Sequence, residues 1–249
     1  MKSTIAMIWR WPISFRTAFK TAFKTGLLLS VSFVQGASVS GNIGFTGTHR
    51  PNRSDENESP VVVWLEPAAA HPGGNSVLHT RMVQRNKRFS PHVLPIQIGT
   101  TVDFPNLDPI FHNAFSSFDG QVFDIGLYSP GSTKSVSFRR KGIVRIFCNI
   151  HSTMSAVIVV LDTPYFVTPD ATGRFVVPNV PPGEYTLDLF DERATPETLA
   201  GLSRPVTVPA SGINLGAIQI SEAGYLPVAH KNKYGMDYPP AHDEYLVKP

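Results

Sequence analysis

The hydrophobic positions of this chain occur in short runs, and Gly, Pro and Asn residues separate one run from the next. Clear examples are residues 60–65 and 142–147, which are rich in Val, Ile and aromatic side chains. Helical periodicity is nearly absent from residue 37 onward. Many short strands with regular turn signals are typical of sandwiches and barrels. The pattern therefore predicts an all-β protein.

One of these runs, residues 154–161, is apolar at almost every position, as expected for a strand that is buried on both faces. It ends just before Pro164, so we place a domain boundary near Thr163. Alternating patterns and a Pro-Gly turn follow, and they predict a second, smaller β-sandwich. Its strands are predicted within 173–187, at 205–208 and at 213–220.

A chain of 249 residues is long enough for two small domains. The predicted divisions are a signal peptide at 1–36, a first domain at 37–163, a second domain at 164–221 and an extended tail at 222–249. Polar stretches at 46–59 and 67–75 are predicted loops of the first domain. The tail contains Pro, Tyr, Lys and two His without periodicity, so we expect it to be either docked or disordered.

The first 36 residues contain five basic residues and no acidic one, and an apolar run at 27–34 closes them. This is typical of a secretory signal, and the run is shorter than the roughly 20 residues that span a bilayer. An uncleaved anchor is the less favoured alternative. We therefore expect a periplasmic location and no membrane span in the mature chain.

Removal of the signal changes the charge balance of the chain. Of the 22 basic residues, 22 − 5 = 17 remain against 19 acidic ones, a formal charge of −2. Nothing in a near-neutral chain favours nucleic acid as a partner. We interpret the basic clusters at 81–88 and 139–141 as solvated strand edges.

Cysteine usage points to special chemistry, because Cys148 is the single cysteine of the chain. An exported protein normally pairs its cysteines in an oxidising compartment, and no intrachain disulfide can form here. Such a thiol is buried and inert, joins two chains, or binds a metal.

The segment from Cys148 to Met154 has the spacing C-x2-H-x2-M, with His151 as its histidine, and lies between two apolar strands. A second imidazole, His112, follows a predicted strand at 101–104. Thiolate, imidazole and thioether donors suit copper, which binds in trigonal His2Cys sites with a weak axial Met. The residues therefore predict one copper ion held by His112, Cys148, His151 and Met154.

Two other interpretations compete with copper. Structural zinc sites use Cys, His and carboxylate ligands in a closed tetrahedron, and a thioether is not among those ligands. A site without metal is the second alternative, because a buried Cys, a buried Met and two surface His residues are each common. Met154 and the combination of four donors favour copper over both.

These motifs follow one another in the order Phe89-Ser90-Pro91, Ile98 to Asn106, His112-Asn113 and the ligand loop 148–154. From Arg81 to Thr163 the series resembles the cupredoxins, with a ligand loop most similar to that of the amicyanins and less similar to that of the plastocyanins. The resemblance implies a Greek-key β-sandwich with a type 1 copper site. It implies His112 and His151 as imidazole ligands, Cys148 as the thiolate and Met154 as the axial thioether. It also implies that Asn113 ties the two ligand segments together.

Two features depart from a minimal cupredoxin. Strands predicted at 38–47 and 60–66 precede the usual start, and the sequence does not predict how they join the sandwich. Residues 123–128 lie between the two ligand segments, and we interpret them as a covering strand or loop without a chemical role.

The carboxyl-terminal unit, residues 165–221, is similar to carboxypeptidase regulatory-like domains, matched by Gly173-x-Phe175 and by residues 182–185. The similarity implies a small sandwich that has no chemistry of its own and serves packing or partner contact. Four acidic side chains could form a docking surface there, although we interpret them as an ordinary solvated face. They are Asp188, Asp191, Glu192 and Glu197.

The cupredoxin resemblance implies a non-enzymatic carrier of single electrons between redox partner proteins. The ring edge of His151 is then the expected electron port, with Ile150 in the contact patch. Copper storage or delivery is the alternative, although the chain has no Met-rich or His-rich tract. Multicopper oxidases and nitrite reductases need further copper clusters, often built from His-x-His pairs. No such pair occurs in the sequence, so we predict no enzymatic activity.

Overall fold

Nearly all of the regular structure is β-strand, as the hydrophobic pattern predicts. The computed structural model describes residues 36–46, 61–69, 78–117, 120–224 and 230–239. The predicted signal at 1–36, apart from Gly36, and most of the two predicted loops lie outside the described residues. Within the described ranges, no helix is long and apolar enough to cross a bilayer.

In chain order the strands are β1 (Ala37–Thr46), β2 (Val62–Pro67), β3 (His79–Arg81), β4 (Val83–Arg85), β5 (Arg88–Ser90), β6 (Val93–Gln97), β7 (Thr101–Pro105), β8 (Phe115–Ser116), β9 (Phe123–Asp124), β10 (Thr133–Ser137), β11 (Gly142–Phe147), β12 (Ser155–Leu161), β13 (Phe166–Val167), β14 (Arg174–Val180), β15 (Gly183–Phe190), β16 (Arg204–Val208) and β17 (Ile213–Ser221). They build two sandwiches, which confirms the predicted fold class.

Strands β3 to β12 form the central sandwich. One sheet has the order β10-β7-β3, the facing sheet has the order β6-β12-β11-β8-β9, and β4 and β5 form a separate hairpin. The core between them contains fully buried large side chains, among them Met82, Phe104, Phe138, Ile146 and Ile158. Strands β11 and β12 pair antiparallel throughout their length. The ligand loop is therefore the connection that closes this hairpin.

Strands from both ends of the described chain form the outer sandwich. Its sheets have the orders β14-β1-β17 and β13-β2-β15-β16, with one hydrophobic core between them. Strands β1 and β2 pair with carboxyl-terminal strands, so the structure corrects the predicted first domain at 37–163. The physical reason is that alternation identifies a strand, whereas its partners are set by packing over a long stretch of chain.

Strand β12 is buried on both faces, as its continuous apolar sequence predicts. One set of side chains enters the central core, and these are Ala156, Ile158 and Val160. The opposite set packs against Val62 of β2 and Phe190 of β15, and these are Val157, Val159 and Leu161. Because the outer sandwich covers its second face, the strand that follows the ligand loop is held on both sides.

Polar contacts join the two sandwiches beside this apolar layer. A carboxylate oxygen of Glu192 lies 2.7 Å from Nε2 of His92, and its other oxygen lies 3.5 Å from Arg145. The neighbouring Asp191 is only 1% exposed. The expectation of a solvated acidic face is therefore wrong for these two residues, because Asp191 is buried and Glu192 lies at the junction between the sandwiches.

One short helix, α1 (Pro196–Leu202), was not predicted from periodicity. The Thr195 hydroxyl caps it by accepting a hydrogen bond from the Thr198 N–H group at 3.2 Å. Pro196 occupies the first turn, where a missing N–H group costs nothing. The Thr-Pro pair is the signal in the sequence that could have identified this helix.

Candidate metal centre

Residues 148–154, the ligand loop, are folded tightly by their own backbone. The Cys148 N–H group donates to the Met154 carbonyl at 3.1 Å, and the Met154 N–H group donates to the His151 carbonyl at 3.2 Å. Cys148 and Met154 are fully buried in the core of the central sandwich, and His151 is 9% exposed. The loop therefore brings a thiol, an imidazole and a thioether to the same end of the core.

His112 reaches this end from a different segment. It pairs with Tyr128 through two backbone hydrogen bonds, of 2.9 and 3.3 Å, and its side chain is fully buried. Its Nδ1 atom lies 3.1 Å from Nδ1 of His151 and 3.9 Å from Sγ of Cys148. The Cys148 sulfur lies 3.6 Å from Nδ1 of His151. Three of the four predicted ligands thus meet as a compact triangle of donor atoms.

The separations between the three donor atoms fit binding of a single metal ion by all three. Bonds of about 2.0 Å to nitrogen and about 2.3 Å to sulfur, at equal angles, place the nitrogens about 3.5 Å apart and each about 3.7 Å from the sulfur. The observed separations of 3.1, 3.6 and 3.9 Å are close to these values. In the described part of the chain, no carboxylate belongs to the group. Met154 is the additional donor that the same buried cluster contains.

A carboxylate that the sequence analysis missed sets the orientation of the His112 ring. Oδ2 of Asp108 lies 2.7 Å from Nε2 of His112, and the Asp108 side chain is almost fully buried. An ionised carboxylate only accepts hydrogen bonds, so the His112 proton belongs on Nε2. The lone pair of Nδ1 then faces the Cys148 sulfur and is free to bind a metal.

The turn between β4 and β5 holds the Asp108 carboxylate in place. The N–H groups of Asn86 and Lys87 donate to it at 2.6 and 2.9 Å, and both residues have positive φ, as the tight hairpin between β4 and β5 requires. Burial works against the charged form, but these donors and His112 offset it and hold the pKa of Asp108 below its ordinary value. Asp108 is therefore a fixed anion on the side of the His112 ring opposite Cys148.

The surroundings of Cys148 favour the ionised form of its thiol. Burial alone raises its pKa, yet the adjacent His112 and His151 side chains and the N–H groups of Asn113 and Ile150, which donate to the sulfur, lower the pKa from 9.0 to about 6. The thiolate is the form that binds metals. At neutral pH the site therefore offers an anionic sulfur without prior metal binding.

The ionisation of Cys148 predicts a specific pH dependence for the metal-free protein. Because the pKa is lower in the folded protein than in the unfolded chain, the thiolate contributes stability above pH 9, and this contribution is lost as the pH falls from 9 towards 6. Chemical denaturation gives the free energy of unfolding of the wild type and of Cys148→Ser at each pH. The difference between them, wild type minus variant, should become smaller as the pH falls from 9 to 6. A constant difference would contradict the lowered pKa.

Asn113 connects the two ligand segments, as the resemblance implies. Its Oδ1 atom accepts a hydrogen bond from the Asn149 N–H group at 2.6 Å, and its Nδ2 group donates to Asp124 at 2.9 Å. Asp124 lies in the segment 123–128, for which the sequence predicts no chemical role. The segment does have a positioning role, because its residue Tyr128 also pairs with the backbone of His112.

Comparisons with known proteins give structural neighbours only. No protein-family model matches the sequence, and no curated protein matches it. A purple cupredoxin from Nitrosopumilus maritimus shares 23% identity, over 33% of this chain and 99% of its own, with a TM-score of 0.31. Amicyanin from Paracoccus versutus shares 19%, over 39% and 91%, with a TM-score of 0.31.

A copper-containing nitrite reductase from Thermus scotoductus shares 21% identity, over 49% of this chain and 28% of its own, with a TM-score of 0.34. The low TM-scores and identities give no information on the function of this chain. The similarity of residues 165–221 to carboxypeptidase regulatory-like domains has no support from these comparisons and stays a prediction. A metal site is therefore inferred from the arrangement of this chain's own residues.

Proposed function

We propose that this protein binds one copper ion as a type 1 site and carries single electrons between redox partner proteins. The observation that carries the proposal is the buried triangle formed by Sγ of Cys148 and the Nδ1 atoms of His112 and His151. A trigonal His2Cys arrangement with a thioether nearby is the donor set of blue copper sites. His112, Cys148, His151 and Met154 would hold the ion.

The donor set favours copper over zinc for two reasons. A zinc site needs a fourth strong donor, such as a carboxylate, to close its tetrahedron. The carboxylate of Asp108 does not fill this role, because it bonds the far side of the His112 ring and two backbone N–H groups. The thioether of Met154 suits copper, in line with the soft character of the thiolate.

Rapid electron transfer requires a metal site whose geometry changes little when the charge of the metal changes. Bound copper would supply the one-electron exchange. Asp108 fixes the His112 ring, and the N–H groups of Asn113 and Ile150 donate to the Cys148 sulfur. Both ligand segments are tied to strands that are buried on the central core. These contacts would keep the ligands in place in both oxidation states of a bound copper ion.

The path to a partner is proposed to run through His151, because it is the more exposed of the two imidazole ligands. His112 has no exposed surface, whereas His151 is 9% exposed. Ile150 is half-buried, so the expected contact patch at that residue is small. Large exposed apolar side chains lie instead along the segments that carry and pair with His112, and these are Leu107, Phe111 and Leu127.

Copper storage or delivery is less well supported, because burial of the ligands opposes rapid release of the ion. A periplasmic location is also part of the proposal and rests on the sequence of residues 1–36. An additional copper cluster, as in an oxidase, would need further histidines. Among the described residues, one group of converging His and Cys ligands is found.

A redox titration separates the electron carrier from the storage protein. We expect the copper-loaded protein to be oxidised and reduced repeatedly, with one electron taken up per chain and copper retained against a chelator in both states. Voltammetry and metal analysis after each cycle measure these quantities. Loss of copper on reduction would contradict electron transport and support delivery.

A further inference from the structure

The described part of the tail, residues 230–239, lies against the ligand loop, and we call it the clasp. The Tyr238 hydroxyl donates a hydrogen bond to the backbone carbonyl of Cys148 at 2.7 Å. His230 stacks on Phe147, the last residue of β11, with ring centroids 4.2 Å apart and an interplanar angle of 29°. The described residues 230–239 therefore lie docked on the ligand loop, which is one of the two alternatives that the sequence left open for the tail.

The Tyr238 hydroxyl is itself held in place. Nδ1 of His230 lies 3.2 Å from it, and the two rings meet edge to face with centroids 5.2 Å apart. Since the hydroxyl donates its proton to Cys148, Nδ1 of His230 is the donor in the second contact. His230 thus links Phe147 to Tyr238, on either side of the Cys148 backbone.

A closed ring of four hydrogen bonds joins the clasp to both ligand segments. The Lys233 ammonium donates to Asp124 at 2.6 Å, and the Lys233 N–H group donates to the Asn149 side chain at 3.0 Å. Asn113 completes the ring, because it donates to Asp124 and accepts from the Asn149 N–H group. Asn113 follows the ligand His112, and Asn149 follows the ligand Cys148.

We propose that the clasp is part of the metal site, and that Tyr238 and Lys233 are positioning residues for its ligands. This inference rests on the proposed copper function. Neither side chain contacts a donor atom. Tyr238 acts through the carbonyl of Cys148, and Lys233 acts through Asn149 and Asp124.

The two positioning residues differ in their expected strength. The Lys233 and Asp124 side chains are 25% and 38% exposed, so water and salt weaken their ion pair. Tyr238 is half-buried and bonds the residue that carries the thiolate. Loss of the Tyr238 hydroxyl should therefore have the larger effect on the ligand loop.

Hydrogen exchange of the full, metal-free chain tests the contact without copper. In Tyr238→Phe we expect the Asn149 and Met154 amides to exchange about 5-fold faster than in the wild type. Lys233→Met should give a smaller increase, and Lys233→Arg should restore most of the protection. Tyr185→Phe is the matched control, because the Tyr185 hydroxyl also donates to a backbone carbonyl, that of Pro181, but does so in the outer sandwich. It should leave the rates at the ligand loop unchanged.

Copper-loaded protein tests the positioning role. Transfer of copper from Tyr238→Phe to a chelator should be about 10-fold faster, as for residues that orient metal ligands. The thiolate-to-copper absorption band should also shift, which a residue that only stabilises the fold would not cause. Unchanged exchange, release and absorption in Tyr238→Phe would overturn the clasp. Faster exchange in a chain whose wild type binds no copper would overturn the proposed function and the positioning role together, and would support only the contact between the clasp and the ligand loop.

Discussion

Replacement of Cys148 by Ser is expected to abolish the intense visible absorption of the copper(II) protein. The band arises from charge transfer between thiolate and copper, and a serine hydroxyl remains protonated and cannot supply it. Mutation of a residue that only hydrogen-bonds a metal ligand typically weakens metal binding by about 10- to 100-fold. Loss of the ligand itself should cost more, so we expect copper binding to weaken by at least about 100-fold. Copper titration followed by visible absorption measures both effects.

Thr153→Ala is the matched control for this experiment. Thr153 lies in the same loop with its side chain exposed, so the variant should keep the wild-type colour and affinity. Cys148→Ser should also remain folded, because the side chains are similar in size. Retention of the visible band in Cys148→Ser would show that another group binds the metal.

Asp108→Asn is expected to weaken copper binding by about 10- to 100-fold, although Asp108 is not a ligand. The amide can present an N–H group to Nε2 of His112, which would move the ring proton to Nδ1 and block the donor atom. The change also removes charge from the acceptor of the Asn86 and Lys87 N–H groups. We therefore expect a loss of about 1–3 kcal/mol in the free energy of unfolding.

Asp103→Asn serves as the comparison, because that carboxylate bonds the Ser135 hydroxyl on a neighbouring strand. It should bind copper as the wild type does. Metal affinity by competition with a chelator and stability by denaturant unfolding separate the two effects. Wild-type affinity in a folded Asp108→Asn protein would contradict the role assigned to the carboxylate.

The ligand loop was predictable because its donors are close in sequence and lie between two apolar runs. A turn between paired strands brings residues 148, 151 and 154 together without help from distant chain. Two-sided burial of β12 was predictable for a similar reason, since a strand with one solvated face would alternate. The layer that covers the second face of β12 could not be predicted. The apolar pattern of β12 carries no information about which strands pack against it.

The residues that support the site escaped prediction for a different reason. Asp108 contacts His112 across four residues of irregular chain, and only the local backbone shows that the two side chains meet. A carboxylate close in sequence to a proposed ligand is the signal that could have identified it. The clasp acts largely through backbone groups of the ligand loop, which hydrophobic patterns do not describe. Strands β1 and β2 were recognised as strands, and their place in the outer sandwich follows from long-range pairing.

The central claim is that His112, Cys148, His151 and Met154 hold a type 1 copper ion. Its most direct test is the addition of copper(II) to the purified protein, followed by visible and electron paramagnetic resonance spectroscopy. We expect one copper per chain, a strong thiolate-to-copper band and a narrow copper hyperfine splitting. A colourless protein, or bound copper with the wide splitting of an ordinary copper(II) complex, would contradict it.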